Sequence, residues 1–547
     1  MKESRSRTPG FDRASQDALI EAGADRIGSR RPQSRGQMTD AGIPCALMYG
    51  FCPPASTAAA DHTLGDRRWL RSSGPRVART LPTGSQSDGR TSATPSHASG
   101  DARSTHGNDG NGNGNGNGDG NGNGDGGGDR DHVHVHTTET TTTARIDQEI
   151  LMPYYMTLGE IPRKRHVQFR APDGRLYSEE LFGTEGFVGP TSTMYHIHPP
   201  TQVTGWKTLY STKPEYVETD VMRMRHLKSM GVKPEGDPIT GRKVMLGNSD
   251  CEMALCVPAE PMDYYYKNGQ GDECLFVHYG SGTVETLLGT LKFRPRDYIV
   301  IPKGVTYKII FDQKRSADEP DPRLLVIETV NGSHILPPPR YISKKTAQFL
   351  EHAPYCERDL RVPQLPLTYD ERGEYEVRIK ARDRVHSYIY KYHPLDVVGW
   401  DGCYYPYCFN IDEFAPIVGK LHMPPPIHQT FEAHNFVICS FCPRLLDFHP
   451  EAIPVPYNHS NLDSDEVLYY VDGNYKARKG IDIGSWTAHP QGIPHGPHPG
   501  TVEKSLGAKE TNELAVMCDT FRPLFPTKHA LDLDDPTYPQ SWEEAVK

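Results

Sequence analysis

From about residue 150 onward, apolar and polar positions alternate in short runs, and Gly, Pro, Asn or Asp interrupts them at intervals of about ten residues. The clearest runs are "CLFVHYGSG", "TVETLLGTLKF", "DYIVIPKG", "TYKIIFD" and "RLLVIETVNG", within residues 274–332. A period of two places successive side chains on opposite faces of a pleated strand, so these runs predict strands. Their density predicts an all-β sandwich or barrel. Helical periodicity is sparse: only "SKKTAQFLEHAP" (343–354) and the terminal "SWEEAVK" (541–547) predict helix.

Residues 1–149 carry no such pattern. They are rich in Arg, Ser, Gly, Asp and Pro and culminate in "GNDGNGNGNGNGDGNGNGDGGG". A segment of this kind cannot bury enough apolar surface to offset chain entropy, so a disordered, low-complexity extension is expected. The "HVHVH" of His132 to His136 reads as part of that tail rather than as an ion site.

One skeleton occurs twice. Glu273, six residues, Gly280, and later Pro302-Lys303-Gly304 with Tyr307, is matched by Glu466, six residues, Gly473, and later Pro490-Gln491-Gly492 with His495. Two related barrels follow, the first with its linker over residues 150–390 and the second over 391–547. In the second copy the full pattern is His459, x, Asn461, four residues, Glu466, six residues, Gly473, then Gly484, five residues, Pro490-x-Gly492, two residues, His495. It resembles the paired motifs of the cupin superfamily, whose double-stranded β-helix (jelly-roll) barrels aim such side chains at one interior point. Two neutral imidazoles and one carboxylate on one face of an ion leave coordination positions open, the pattern of non-haem Fe(II) oxygenases. Asn461 stands where many cupins carry a further histidine, which leaves the three ligands His459, Glu466 and His495, with Asp465 as the fallback carboxylate. In the first copy Asn268 is placed at the first histidine position and Tyr307 at the last, so that barrel is expected to hold no metal. "MYHIHPP" has His196 and His198 but no following carboxylate, and reads as strand or surface histidines.

Composition narrows the function. The 547 residues carry a formal net charge of -10, which gives no electrostatic case for nucleic acid or an anionic membrane. No run of about 18 apolar residues exists to span a bilayer, and no apolar stretch follows the basic N-terminus to make a secretory signal. Eleven scattered cysteines, an odd number, suit a reducing cytoplasm. Cys439 and Cys442 have CxxC spacing without a second pair, and read as buried strand thiols.

From about residue 150 the chain resembles the homogentisate 1,2-dioxygenase family, its bacterial members above all, in "DYIVIPKGVTYKI", "DVVGWDGCYYPYCFNI", "FVICSFCPR", "PYNHSNLDSDE", "GNYKAR" and "HPQGIPHGP". The resemblance implies two cupin barrels with few helices and Fe(II) in the second. It implies O2-dependent, extradiol-type cleavage of homogentisate to maleylacetoacetate in tyrosine and phenylalanine catabolism, and a homo-oligomer, trimer or hexamer. His459, Glu466 and His495 match the family's iron ligands, His489 a substrate-contacting and catalytic pocket histidine, and Tyr475 a pocket tyrosine that could equally be packing. Where the family motif has a histidine base, this chain has Asp401 in "VVGWDGC"; it is either a carboxylate base or an Asp-Gly turn residue. That departure leaves a related hydroquinone-type acid open as the substrate. A Mn- or Zn-dependent cupin isomerase and a non-catalytic bicupin remain alternatives.

Overall fold

The computed structural model describes residues 155–473, 475 and 480–543. The extension 1–149 with its "HVHVH", most of "GNYKAR" and the last four residues lie outside them. Every run singled out above is a strand. Glu273–Tyr279, the hairpin Gly282–Thr286 and Gly289–Phe293, Asp297–Ile301, Thr306–Phe311 and Arg323–Thr329 follow in order. The chain is all-β, with only two short α-helices among the described residues, Thr501–Ser505 and Lys528–Leu533.

The first barrel is built from a seven-stranded and an eight-stranded sheet, and the second around a six-stranded sheet. A further four-stranded sheet joins Met156–Gly159, Val397–Gly402, Thr191–His196 and Ser178–Gly183 in that spatial order. The six-stranded sheet runs Gln429–Ala433, Phe436–Phe441, Leu514–Thr520, Asp465–Asp472, Ser485–His489 and Arg225–Lys228. Its last strand comes from the first half of the chain. In return, Phe525–Pro526 pairs with Arg242–Gly247 and Tyr407–Asn410 with Asp297–Ile301, both in the eight-stranded sheet.

The central strands of the eight-stranded sheet are buried on both faces, which explains why "DYIVI" and "RLLVIET" are nearly continuous apolar runs. One face lines the first barrel and the other packs on the second. Across that boundary Tyr298 Oη lies 2.9 Å from Ser440 Oγ, its ring meets Phe431 edge-on, and His278 Nδ1 lies 2.5 Å from Tyr469 Oη.

The helix expected over 343–354 is absent. The segment is bounded by Pro339 and Pro354, and Ser343 Oγ accepts the amides of Lys345 and Thr346 in a local turn. Ala347 then sits at φ 58, a left-handed conformation that no helix continues through. At the C-terminus the described part of "SWEEAVK" closes a short 3-10 helix, Tyr538–Trp542. Cys439 and Cys442 are buried free thiols at the strand Phe436–Phe441.

Candidate metal centre

Glu466 is the second residue of the strand Asp465–Asp472, and its side chain points into the second barrel. His459 and His495 stand on two loop segments that meet as an isolated antiparallel bridge. The amide of each donates to the carbonyl of the other, at 2.9 and 2.8 Å. Two glycines serve this region, Gly473 at the end of the Glu466 strand and Gly496 where the two histidine segments meet. Gly473 turns the chain at φ 92, and a Cβ there would fall 2.0 Å from Asn512 O. A Cβ on Gly496 would fall 2.3 Å from Asn458 Oδ1.

The Nε2 atoms of His459 and His495 each lie 3.7 Å from a different oxygen of Glu466. One ligand atom from each of the three residues falls within 4.8 Å of the others, the one such group found among the described residues. The Nδ1 of His495 faces Ile493 O at 3.0 Å and that of His459 faces Tyr457 O at 3.4 Å. Backbone carbonyls thereby fix the tautomer that leaves each Nε2 lone pair facing inward. Among the described residues, His495 Nε2 is buried without a hydrogen-bond partner. Ligands about 2.1 Å from a common ion lie about 3 Å apart, so a small inward adjustment completes a divalent site. The donor set therefore fits a non-haem metal. Only His459 is partly exposed, at 30% of its side chain, which places the opening on its side.

His489 is fully buried behind this group. Glu466 Oε1 accepts its Nδ1–H at 2.8 Å, the ring stacks on His495, and Tyr538 Oη lies 3.3 Å from Nε2. Burial alone would raise the Glu466 carboxyl, but the three imidazoles hold it well below the usual range. Glu466 is therefore ionised, the form in which a carboxylate can bind a metal ion.

The repeat explains the neighbouring acid. Asp465 Oδ1 accepts the amide of Gln491 and Oδ2 that of Leu524, each at 2.8 Å. In the first barrel Asp272 does the same, Oδ1 accepting Lys303 N at 2.9 Å and Oδ2 accepting Ile335 N at 3.0 Å. Asp465 is thus a loop lock common to both barrels, and the fallback ligand is ruled out by its own hydrogen bonds. The equivalence also corrects the alignment of the repeat. Gly304 N donates to Asn268 O and Gly492 N to Asn461 O, both at 2.6 Å, so Asn268 corresponds to Asn461. The counterpart of His459 is Tyr266, paired with Tyr307 as His459 is with His495. Where an ion would sit, the first barrel has the Arg242 guanidinium. It is ion-paired to Glu273 and hydrogen-bonded to Tyr307 Oη at 3.1 Å, and Tyr307 donates to Glu273 at 2.6 Å. The sequence pointed to the loss of ligands there but gave no sign of Arg242, which comes from a strand 31 residues away from Glu273.

The remaining expected site residues lie apart. Asp401 is inside the strand Val397–Gly402, opposite Thr157 and Thr193, so it is not in a turn. Burial pushes its carboxyl up, and its charged neighbour is Arg165, 3.6 Å away. Tyr475 donates to Leu514 O at 2.5 Å and accepts the Asp472 amide at 3.0 Å, so both hydroxyl functions serve the backbone. Two residues near the site carry no motif. Tyr538 reaches His489 from the C-terminal segment. Asp519 stands opposite Glu466 across the sheet, and burial first, then the Glu466 charge, pushes its carboxyl well up.

A two-barrel cupin architecture with a His–His–Glu group able to hold a metal ion in one barrel is the class that fold and site define. Comparison with known proteins narrows it. The profile "Homogentisate 1,2-dioxygenase N-terminal" matches residues 159–411. "Putative dioxygenase SSO1533" of Saccharolobus solfataricus is 37% identical over 397 residues, covering 72% of this chain and 99% of that protein. "Homogentisate 1,2-dioxygenase" of Sinorhizobium medicae is 26% identical over 418 residues, covering 69% and 87%. The chain belongs to the homogentisate 1,2-dioxygenase family. Similar solved structures include a cupin 2 conserved barrel domain protein from Leptotrichia buccalis, 11% identical with TM-score 0.22, covering 57% of this chain and 98% of that one. Bacillus subtilis oxalate decarboxylase is 10% identical with TM-score 0.26, covering 57% and 81%. No described helix is long and apolar enough to cross a membrane.

Proposed function

We propose that this protein is an Fe(II)-dependent dioxygenase that opens the ring of a hydroxylated aromatic acid, homogentisate first among the candidates, as a step of tyrosine and phenylalanine catabolism. The supporting observation is the His459–Glu466–His495 group: three donors on one side, inward lone pairs, and an opening beside His459. Iron held there would supply the Lewis acidity and electron relay that ring cleavage by O2 needs. The protein's own residues do the rest. Glu466 and the two imidazoles fix the coordination face, while His489 anchors the carboxylate and, with Tyr538 behind it, gives a proton a place beside the site. Asp401 as a base draws no support from its contacts, since they are with Arg165 and the four-stranded sheet. His489 is the stronger catalytic candidate. A cytoplasmic trimer or hexamer remains part of this reading through family resemblance.

The test is anaerobic reconstitution with Fe(II), followed by exposure to O2 with homogentisate, gentisate and related hydroxyaromatic acids, and identification of the products. A ring-opened unsaturated dicarboxylic product carrying both atoms of one O2 is expected from one of them. Full iron loading with no ring-opened product from any of them would overturn the reading.

A further inference from the structure

Away from the metal centre, the four-stranded sheet meets the seven-stranded sheet of the first barrel around a cavity of about 100 Å³. Its inner end is built from charged groups. His196 closes the strand Thr191–His196, with Nδ1 2.7 Å from Asp396 and Nε2 3.0 Å from Glu180. Burial pushes this imidazole down, but the two carboxylates hold it up at about 9, so it is a cation. Facing them from the strand Tyr265–Asn268 is Lys267. Its amine makes no hydrogen bond or ion pair among the described residues; burial pushes it down, and the charge of Glu180 works the other way to keep it protonated. Among the described residues Glu180 is hydrogen-bonded through Oε2 alone, to His196, which leaves its second oxygen available. Thr306 and Tyr390 add hydroxyls, and the outer wall is the His198–Tyr392 stack, with ring centroids 3.7 Å apart.

A largely buried lysine without a partner is costly, and a fold keeps one where a ligand completes it. The charges say what kind of ligand. Asp396 and Glu180 carry two negative charges, and His196 and Lys267 two positive, so the cavity is neutral as it stands. A simple anion on Lys267 or a simple cation on Glu180 would leave a net charge in a partly desolvated space. A molecule carrying both charges would satisfy both groups and leave the balance intact. A cavity of 150 Å³ holds the six carbons of benzene, so this one, two-thirds that size, takes in about four or five non-hydrogen atoms, with any further atom at its mouth. We infer that this cavity is a binding site for a small zwitterion of the α-amino acid class, its carboxylate on Lys267 and Thr306 and its ammonium on Glu180.

Calorimetric titration of the full-length protein with glycine, L-alanine, acetate and methylammonium tests this. One equivalent of glycine or L-alanine should bind per chain, with acetate and methylammonium at least tenfold weaker. Lys267→Met and Glu180→Gln should each weaken amino-acid binding at least tenfold without changing the metal content. Absence of amino-acid binding at millimolar concentration, acetate binding as tightly as glycine, or variants that bind like the parent would overturn the inference. The comparison of the four small molecules on the unmodified protein decides the matter even if a variant does not fold.

Discussion

Asp465 and Glu466 are adjacent acids with unrelated tasks, because consecutive residues of a strand point to opposite faces. Glu466 faces the imidazoles, and Asp465 holds the amides of Gln491 and Leu524. The two substitutions should therefore separate cleanly. Glu466→Gln should cut metal affinity at least tenfold and leave the melting temperature of the metal-free protein near that of the parent. Asp465→Ala should retain one metal per chain but lower stability by about 2–4 kcal/mol, the cost of two part-buried amides left without an acceptor. Metal analysis and thermal melts of both variants check this pair, and the opposite pattern would exchange their roles. The spacing from Glu466 to Gly473 made the ligand legible in the sequence. The role of Asp465 was not, because its partners lie 26 and 59 residues away. Tyr266 and Arg242 are not legible for a related reason: motif spacing places Asn268 opposite His459, whereas the bonds that Gly304 and Gly492 donate to Asn268 and Asn461 shift the register by two residues.

Elements with strict alternation were readable, since burying one or both strand faces leaves a direct mark on composition. The segment 343–354 was not, because its apolar spacing imitates a helix while prolines and Ser343 impose a turn. The pairing of strands across the two barrels leaves no local mark at all. Two predictions belong to this scale. His196 ties the strand Ser178–Gly183 to the segment at Asp396. Its imidazole is raised from 6.5 to about 9, so its contribution is complete below pH 6.5 and is lost as pH rises through about 9. The full contribution is about 3 kcal/mol. Denaturant titrations should show the stability difference between the parent and His196→Gln shrinking over that interval, and a difference independent of pH would contradict the assignment. The C-terminal segment forms the other element. Tyr538 reaches His489, Ser541 Oγ lies 2.8 Å from His498 Nε2, and Trp542 donates to Gly496 O at 3.1 Å. Ending the chain at Thr537 should lower metal affinity by about tenfold or more although it removes no ligand. Competition with a chromophoric chelator measures this, and unchanged affinity would show that the segment does not support the site.

In the whole molecule, one barrel scaffold is used twice, with different residues at the same interior point. In the first barrel Arg242 neutralises Glu273 from within the chain, and in the second the His459–Glu466–His495 group is left for an ion from outside. The barrels are joined through the eight-stranded sheet, where Tyr469 of the ligand-bearing strand reaches His278. The first barrel thus supports the second without competing for its metal, and one metal per chain is the expected stoichiometry. The central claim is that this single site carries out O2 chemistry on an aromatic ring. Oxygen-electrode measurements on the Fe(II)-loaded protein with homogentisate test it most directly, with His495→Ala run in parallel. The account expects one O2 consumed per ring opened in the parent, and neither bound iron nor O2 uptake in the variant. Iron-loaded parent protein that consumes no O2 with homogentisate or its hydroxyaromatic relatives, or a variant that loses its iron yet keeps its turnover, would contradict it.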